Sequence, residues 1–273
     1  SSDVIKRYDP LDLVRFGVSN VWIGIESKFK PFSKNMNIDL AGLMKGLHDA
    51  GIKTFGSMIF GFDSQTRDMI TEDMDYFMSL SPTFAQFAAL LGFPGTEDYL
   101  RFNKEGRFIK DLTQAHFNQS GNIRYKHVGR EEMEGIVDTA YSRFYEETGP
   151  SMLKAFEINL NRYRTVMEHG IKKYIGKAKN PFKAMEPLYL LCEEFAPNER
   201  VRKQARLFIE DYEREFQPIS DHSRAFYEKG IRSKAVAYKN GPSRLYPYEG
   251  FERFAYSRTS PAPSLVAQGN LSI

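Results

Sequence analysis

The stretch Val21 to Ser27, VWIGIES, decides the fold. It is an apolar run of strand-forming composition that stops abruptly on a carboxylate and a hydroxyl. A strand buried on both faces of a parallel sheet reads as a near-continuous apolar run, and this one delivers polar groups at its C-terminal end. In barrels of such strands the site is built where the strands end.

Moving outward, two further stretches repeat the plan. Ile52 to Gly61, IKTFGSMIFG, closes on Gly61-Phe62-Asp63, and Phe84 to Leu91, FAQFAALL, closes on Gly92-Phe93-Pro94-Gly95-Thr96. Between the first two, Ile38 to Ala50 carries Leu40, Leu43, Met44 and Leu47 at helical spacing, with Gly51 placed to end a helix. Between the second and third, Thr66 to Ser79 puts Ile70, Met74, Phe77 and Met78 on one helical face. Alternation of strand and helix predicts βαβ units and a parallel sheet, an α/β fold, with right-handed crossovers setting all strand ends on one rim. Glu26, Ser27, Ser57, Asp63 and the Pro94-Gly95-Thr96 turn would share that rim. Short helices are expected over Asp9 to Phe16 and Thr96 to Gly106, and the Lys- and Asn-rich segment Lys28 to Asn37 reads as a loop over the rim.

The second half has a different texture. Phe108 to Gly129 shows little periodicity and reads as loop. Beyond it, Met133, Val137, Ala140 and Phe144 form one helical stripe, Met152, Phe156, Leu160, Tyr163 and Met167 the next, and Val201, Ala205, Phe208 and Tyr212 another. One more helix is expected over Ile219 to Ala237. The expected organisation is a βα portion over 1–107, a mostly helical region over 108–256 and a disordered tail over 257–273.

With 273 residues, 41% hydrophobic and 14% aromatic, the chain can bury a sizeable core. A formal charge of +3 gives no case for nucleic acid as partner, and the basic residues of the helical half are interleaved with Glu199, Glu210, Asp211, Glu213 and Glu215. The one cysteine, Cys192, excludes a disulfide or a multi-thiolate metal site made by this chain alone, and its LYLLCEEF setting reads as a core thiol. No run of about 18 apolar residues and no secretory leader is seen, so a cytoplasmic protein without a membrane span is expected. The chain opens on Ser1 rather than Met and is read as a piece with an upstream portion.

Taken in order, Gly24-Ile25-Glu26-Ser27, a glycine-ended helix, Ile59-Phe60-Gly61-Phe62 and Leu90-Leu91-Gly92-Phe93-Pro94-Gly95-Thr96 carry a resemblance. The stretch from about Asp3 to Arg107 resembles the C-terminal half of the TIM-like parallel barrel of radical S-adenosylmethionine enzymes. It looks most like the branch with a GxES strand end and a PGT turn, many of whose members carry an upstream cobalamin-binding domain. The family holds a 4Fe-4S cluster on three thiolates spaced CxxxCxxC. That motif is absent here, so the resemblance implies a cluster held outside this chain and a chain inactive by itself. A degenerate relative lacking the chemistry is the other possibility. Asp63 stands where the family commonly has the proline of GxP, and Gly92 replaces the first proline of PxPGT.

The resemblance implies S-adenosylmethionine as cofactor, a small-molecule substrate and 5′-deoxyadenosyl radical chemistry, with methyl transfer one outcome where cobalamin is present. By position, Glu26 would accept hydrogen bonds from a ribose hydroxyl or amine, or else form a rim salt bridge. Ser27 would hold the same turn or cap the exit loop. Lys34 would meet the cofactor carboxylate or stay solvated. Ser57 would let adenosine approach or simply pack, and Gly61 would shape the turn after its strand. Pro94, Gly95 and Thr96 would shape the wall beside adenine, with Thr96 capping the next helix. His48, His116, His127, His169 and His222 lack ligand spacing; His127, beside Tyr125 and Lys126, is the one read as a substrate contact. Two readings from other classes are a non-catalytic helical interaction module and a barrel hydrolase using Glu26 and Asp63 as paired acids.

Overall fold

The computed structural model describes residues 2–29, 35, 37–109, 121–174 and 182–239. Lys34, His116 and the tail over 257–273 lie outside them. The chain opens with α1 (Ser2–Ile5) and α2 (Pro10–Phe16), then alternates β1 (Asn20–Gly24), α3 (Leu40–Asp49), β2 (Lys53–Phe60), α4 (Arg67–Leu80) and β3 (Phe84–Ala89). The strands form one parallel sheet in the order β1-β2-β3, with Trp22 opposite Phe55 and Phe55 opposite Phe84. The fold is therefore α/β, with a small open sheet of three strands.

Two strands are shorter than their apolar runs. The VWIGIES ladder stops at Gly24 because Glu26 is left-handed, with φ of 59°. The chain there curls around one carbonyl: Ser57 O accepts from Ile25 N–H at 2.8 Å and from Glu26 N–H at 3.4 Å. β3 likewise ends at Ala89, although Leu90 N–H still reaches Phe60 O at 2.8 Å.

One face of the sheet is packed. Ile23, Met58, Phe60 and Phe87 join Met44, Leu47, Ile70 and Phe77 of α3 and α4 in the main core. α6 (Arg130–Thr148) adds Met133, Val137, Ala140 and Phe144 to the same core. Its Tyr141 hydroxyl also lies 3.2 Å from Phe87 N–H and 3.4 Å from Phe87 O, which blocks the outer edge of β3. The other face is only partly covered. α5 (Glu97–Lys104) and the bridge Phe108–Ile123 close a small cluster of Leu90, Phe102 and Ile123 over Ile59. On that same face Trp22, Phe55 and Phe84 stack in a row, and Trp22 is 54% exposed.

α7 (Ser151–Glu168) connects two cores: Val166 belongs to the first, while Leu153, Phe156, Leu160 and Tyr163 belong to a second, formed with α8 (Glu186–Glu194) and α9 (Glu199–Glu215). α8 has too short a stripe to be conspicuous in the sequence. The helix expected over Ile219 to Ala237 is broken into α10 (Asp221–Phe226), a π-helical turn Tyr227–Arg232 and α11 (Ser233–Lys239). The wide turn has a visible tie: Tyr227 and Arg232, five residues apart, both hydrogen-bond Glu194, at 2.6 and 2.7 Å. No described helix is long and apolar enough to cross a membrane.

Candidate functional site

Because all three strands are parallel, the turns that follow them gather at one end of the sheet. Glu26 and Ser27 follow β1, Gly61 follows β2, and Pro94-Gly95-Thr96 follows β3. Glu26 is buried, 8% exposed, in a conformation that costs a non-glycine residue roughly 1 kcal/mol or more. Such strain persists only where neighbouring structure holds it. Ser27 Oγ accepts from Phe29 N–H at 3.2 Å, so the hydroxyl caps the exit turn. Ser57 sits mid-strand on the less covered face, its Oγ accepting from Trp22 Nε1–H at 3.1 Å.

Gly61 is required twice over. Its φ is 99°, and a Cβ there would stand 2.7 Å from the Tyr125 ring. Its N–H donates to Gln65 Oε1 at 2.8 Å, Gln65 Nε2 donates to Asp73 Oδ2 at 2.7 Å, and Asp73 Oδ1 accepts from Lys28 N–H at 2.8 Å. This buried relay runs through α4 and fixes the turn after β2 relative to the turn after β1. Sequence reasoning missed both Gln65 and Asp73. The available signal was a carboxylate inside the Ile70, Met74, Phe77 stripe, where a charge persists only if paired or hydrogen-bonded.

Thr96 caps α5, accepting from Tyr99 N–H at 3.1 Å and donating to Phe93 O at 2.7 Å. Gly95, with φ of 87°, faces open space: a Cβ would meet nothing within 4 Å.

Asp63, two residues after Gly61, is an ion-pair hub. Arg107 reaches it at 2.8 Å, Lys126 at 3.1 Å and Arg101 at 3.6 Å. Burial works to raise the Asp63 carboxyl, and hydrogen bonds from Arg107 and Lys126 outweigh it, holding the group below its usual range. The Arg107 side chain is 8% exposed, lies over the Phe102 ring at 4.5 Å and donates from Nε to Arg124 O at 2.8 Å. Its Nη2 has no hydrogen-bond partner among the described residues. His127 Nε2 is 3.0 Å from Asp63 O, which ties that ring to the hub's backbone. Tyr125, beside it, is held by Gly121 N–H at 2.7 Å and donates to Leu90 O at 3.1 Å. Burial pushes its phenol up to about 12.

The strand-end turns thus set a buried carboxylate, Glu26, and an open glycine turn, Gly95, at one end of the sheet, with Ser57 mid-strand and bonded to Trp22. Among the described residues no group of three or more His, Cys, Asp or Glu could hold a metal. Cys192 lies in the second core, 3% exposed, with its thiol pushed up to about 12 by burial. No protein-family model matches the chain, and no curated protein matches it.

Proposed function

We propose that the chain is the C-terminal part of a radical S-adenosylmethionine enzyme, contributing one wall of its barrel and a helical region. The observation that carries this reading is the unequal finish of the sheet. Parallel sheets are covered on both faces. Here β3's outer edge is blocked by Tyr141, whereas β1 has no strand beyond it among the described residues and presents the half-open Trp22, Phe55, Phe84 face. Such a wall suits continuation on the β1 side. The order GxES, glycine turn, PGT at its strand ends supplies the chemical part.

Bound S-adenosylmethionine supplies a 5′-deoxyadenosyl radical in enzymes of that class. In this reading Glu26 binds a ribose hydroxyl or the amine, Ser57 leaves room for adenosine, and Pro94-Gly95-Thr96 shapes the wall beside adenine. The Gly61, Gln65, Asp73 relay keeps two of these turns in register, and the Leu90, Phe102, Ile123 cluster excludes water from one side. The cluster ligands belong to sequence outside this chain. The hydrolase reading is less suited: a carboxyl held ionised by Arg107 and Lys126 is a poor proton donor.

The deciding experiment expresses this chain joined to the coding sequence upstream of it and reconstitutes iron anaerobically. Release of 5′-deoxyadenosine from S-adenosylmethionine supports the proposal; absence of CxxxCxxC upstream, or of bound iron, ends it in favour of a degenerate relative. In the active protein Glu26→Ala should weaken cofactor affinity about ten- to a hundred-fold, the worth of a charge-assisted hydrogen bond. Asp63→Ala should change that affinity less.

A further inference from the structure

At the opposite end of the sheet, a cleft of about 460 Å³ opens between α3, α4, α6, α7 and α9. Two charged residues of α7, one turn apart, line it: Lys154, 5% exposed, and Glu157. They share the cleft without an ion pair. The Lys154 amine bonds Thr148 Oγ1 at 2.7 Å and lies 3.6 Å from the Phe144 ring centroid, while both Glu157 oxygens take the single Gln204 Nε2 at 2.9 Å. Nothing at the rim uses these groups.

We infer that this cleft binds a small aldehyde or ketone bearing an anionic group, and that Lys154 captures it as an imine. The surrounding charges leave the pair to itself. Lys45 is paired with Asp49 at 2.5 Å, and Glu147 with Arg143 at 2.6 Å. His48 is held by Thr54 Oγ1 at 2.8 Å and stays neutral down to about pH 4. Arg200 has no carboxylate partner among the described residues; its guanidinium binds the carbonyls of Glu146 and Glu147 at the mouth, ready to meet the anionic group.

The chemistry balances without another reactant. Burial lowers the Lys154 amine to about 7, so an uncharged amine is available near neutrality. Burial also raises the Glu157 carboxyl, against the Gln204 hydrogen bonds and the Lys154 charge. The amine lone pair attacks the carbonyl carbon as the C–O π bond opens, and Glu157 passes one proton from the nitrogen to the oxygen, giving a carbinolamine. The hydroxyl then leaves as water with the second nitrogen proton, again carried by Glu157, and a C=N bond remains. Nothing is oxidised or reduced.

The test treats the full chain with pyridoxal 5′-phosphate or glyoxylate in the presence of cyanoborohydride and maps the modified lysines by peptide mass. Lys154 should be trapped at least tenfold faster than any exposed lysine at pH 7, because an ordinary lysine is uncharged in only about one molecule in 2,500 there. Its rate should rise with a midpoint near 7, and Glu157→Gln should slow it while leaving the unfolding midpoint in place. Labelling spread over exposed lysines such as Lys45 and Lys104 would overturn the assignment. So would a Lys154 silent below pH 9. Both readouts come from the unaltered chain and do not depend on a variant that folds.

Discussion

At the C-terminal end of the sheet Asp63 meets Arg107, Arg101 and Lys126, whereas at the N-terminal end Lys154 and Glu157 share a cleft and hold only neutral partners. Both ends place charge against an apolar wall. The rim answers with opposite charges and keeps Asp63 ionised. The cleft answers with burial alone, which moves an amine and a carboxyl toward neutrality. Ionised, mutually paired groups fix backbone turns; an amine near its titration point can exchange a proton. The first arrangement suits shaping a ligand wall, the second suits chemistry.

The largest test of that contrast is Asp63→Ala. Removing the shared carboxylate leaves buried Arg107 opposite no acid except Glu105, at 3.2 Å. Breaking one partner of a buried pair costs about 3 kcal/mol, to be read from the urea midpoint and slope. Glu157→Ala should cost clearly less, since it strands only an amide; equal losses would erase the distinction between the two ends.

Lys154→Met comes next, with the opposite sign. The folded value near 7 lies below the unfolded 10.5, so between these pH values the unfolded chain holds the proton that the folded chain has lost. The stability that a neutral Lys154 allows is present above pH 10.5 and falls away as pH drops through 7. Replacing the amine by an isosteric thioether should therefore stabilise the protein by on the order of 1 to 2 kcal/mol at pH 7. The gain should vanish above pH 10.5, a window checked by unfolding curves at pH 6, 8 and 10. A gain independent of pH would mean that packing, not charge, was responsible.

His48 extends the comparison to acid. Desolvation, with Lys154 adding to it, lowers the ring to about 4 from an ordinary 6.5. The unfolded chain then protonates first, so stability is full above pH 6.5 and is lost as pH falls through 4. Relative to His48→Gln, the wild type should lose about 1 kcal/mol more between pH 7 and 4. A ring titrating near 6.5 by NMR would remove His48 from the list of buried groups.

These pairs also mark where the sequence could be read. The parallel sheet, its crossover helices and the shared rim were legible because apolar runs, helical periods and glycine ends are local and repeated. Strand ends were not, since Glu26's left-handed turn breaks a run that composition alone would extend. Glu26, Ser27, Gly61 and Thr96 follow the strands that the apolar runs mark. Gln65, Asp73 and Arg107 were missed because their roles come from contacts across 8, 45 and 44 residues of chain. The Lys154 cleft was invisible for the same reason: its walls come from helices spread over the chain from Ala41 to Gln204, and only packing turns an ordinary amphipathic lysine into a buried one.

The smallest effect separates the hub's core from its fringe. Lys126 and Arg101 reach Asp63 with side chains 49% and 46% exposed, against 8% for Arg107. Exposed ion pairs contribute about 0.5 kcal/mol and are screened within a Debye length of roughly 3 Å at 1 M salt. Lys126→Gln should therefore cost about 0.5 kcal/mol at low ionic strength and nothing measurable in 1 M sodium chloride. The cost of Asp63→Ala should persist in that salt, because water and ions do not reach the contact between its carboxylate and Arg107. If salt abolished both costs, the rim would be a surface network, and its charges would shape the turns no more firmly than the mouth of the opposite cleft is shaped by Lys45 and Asp49.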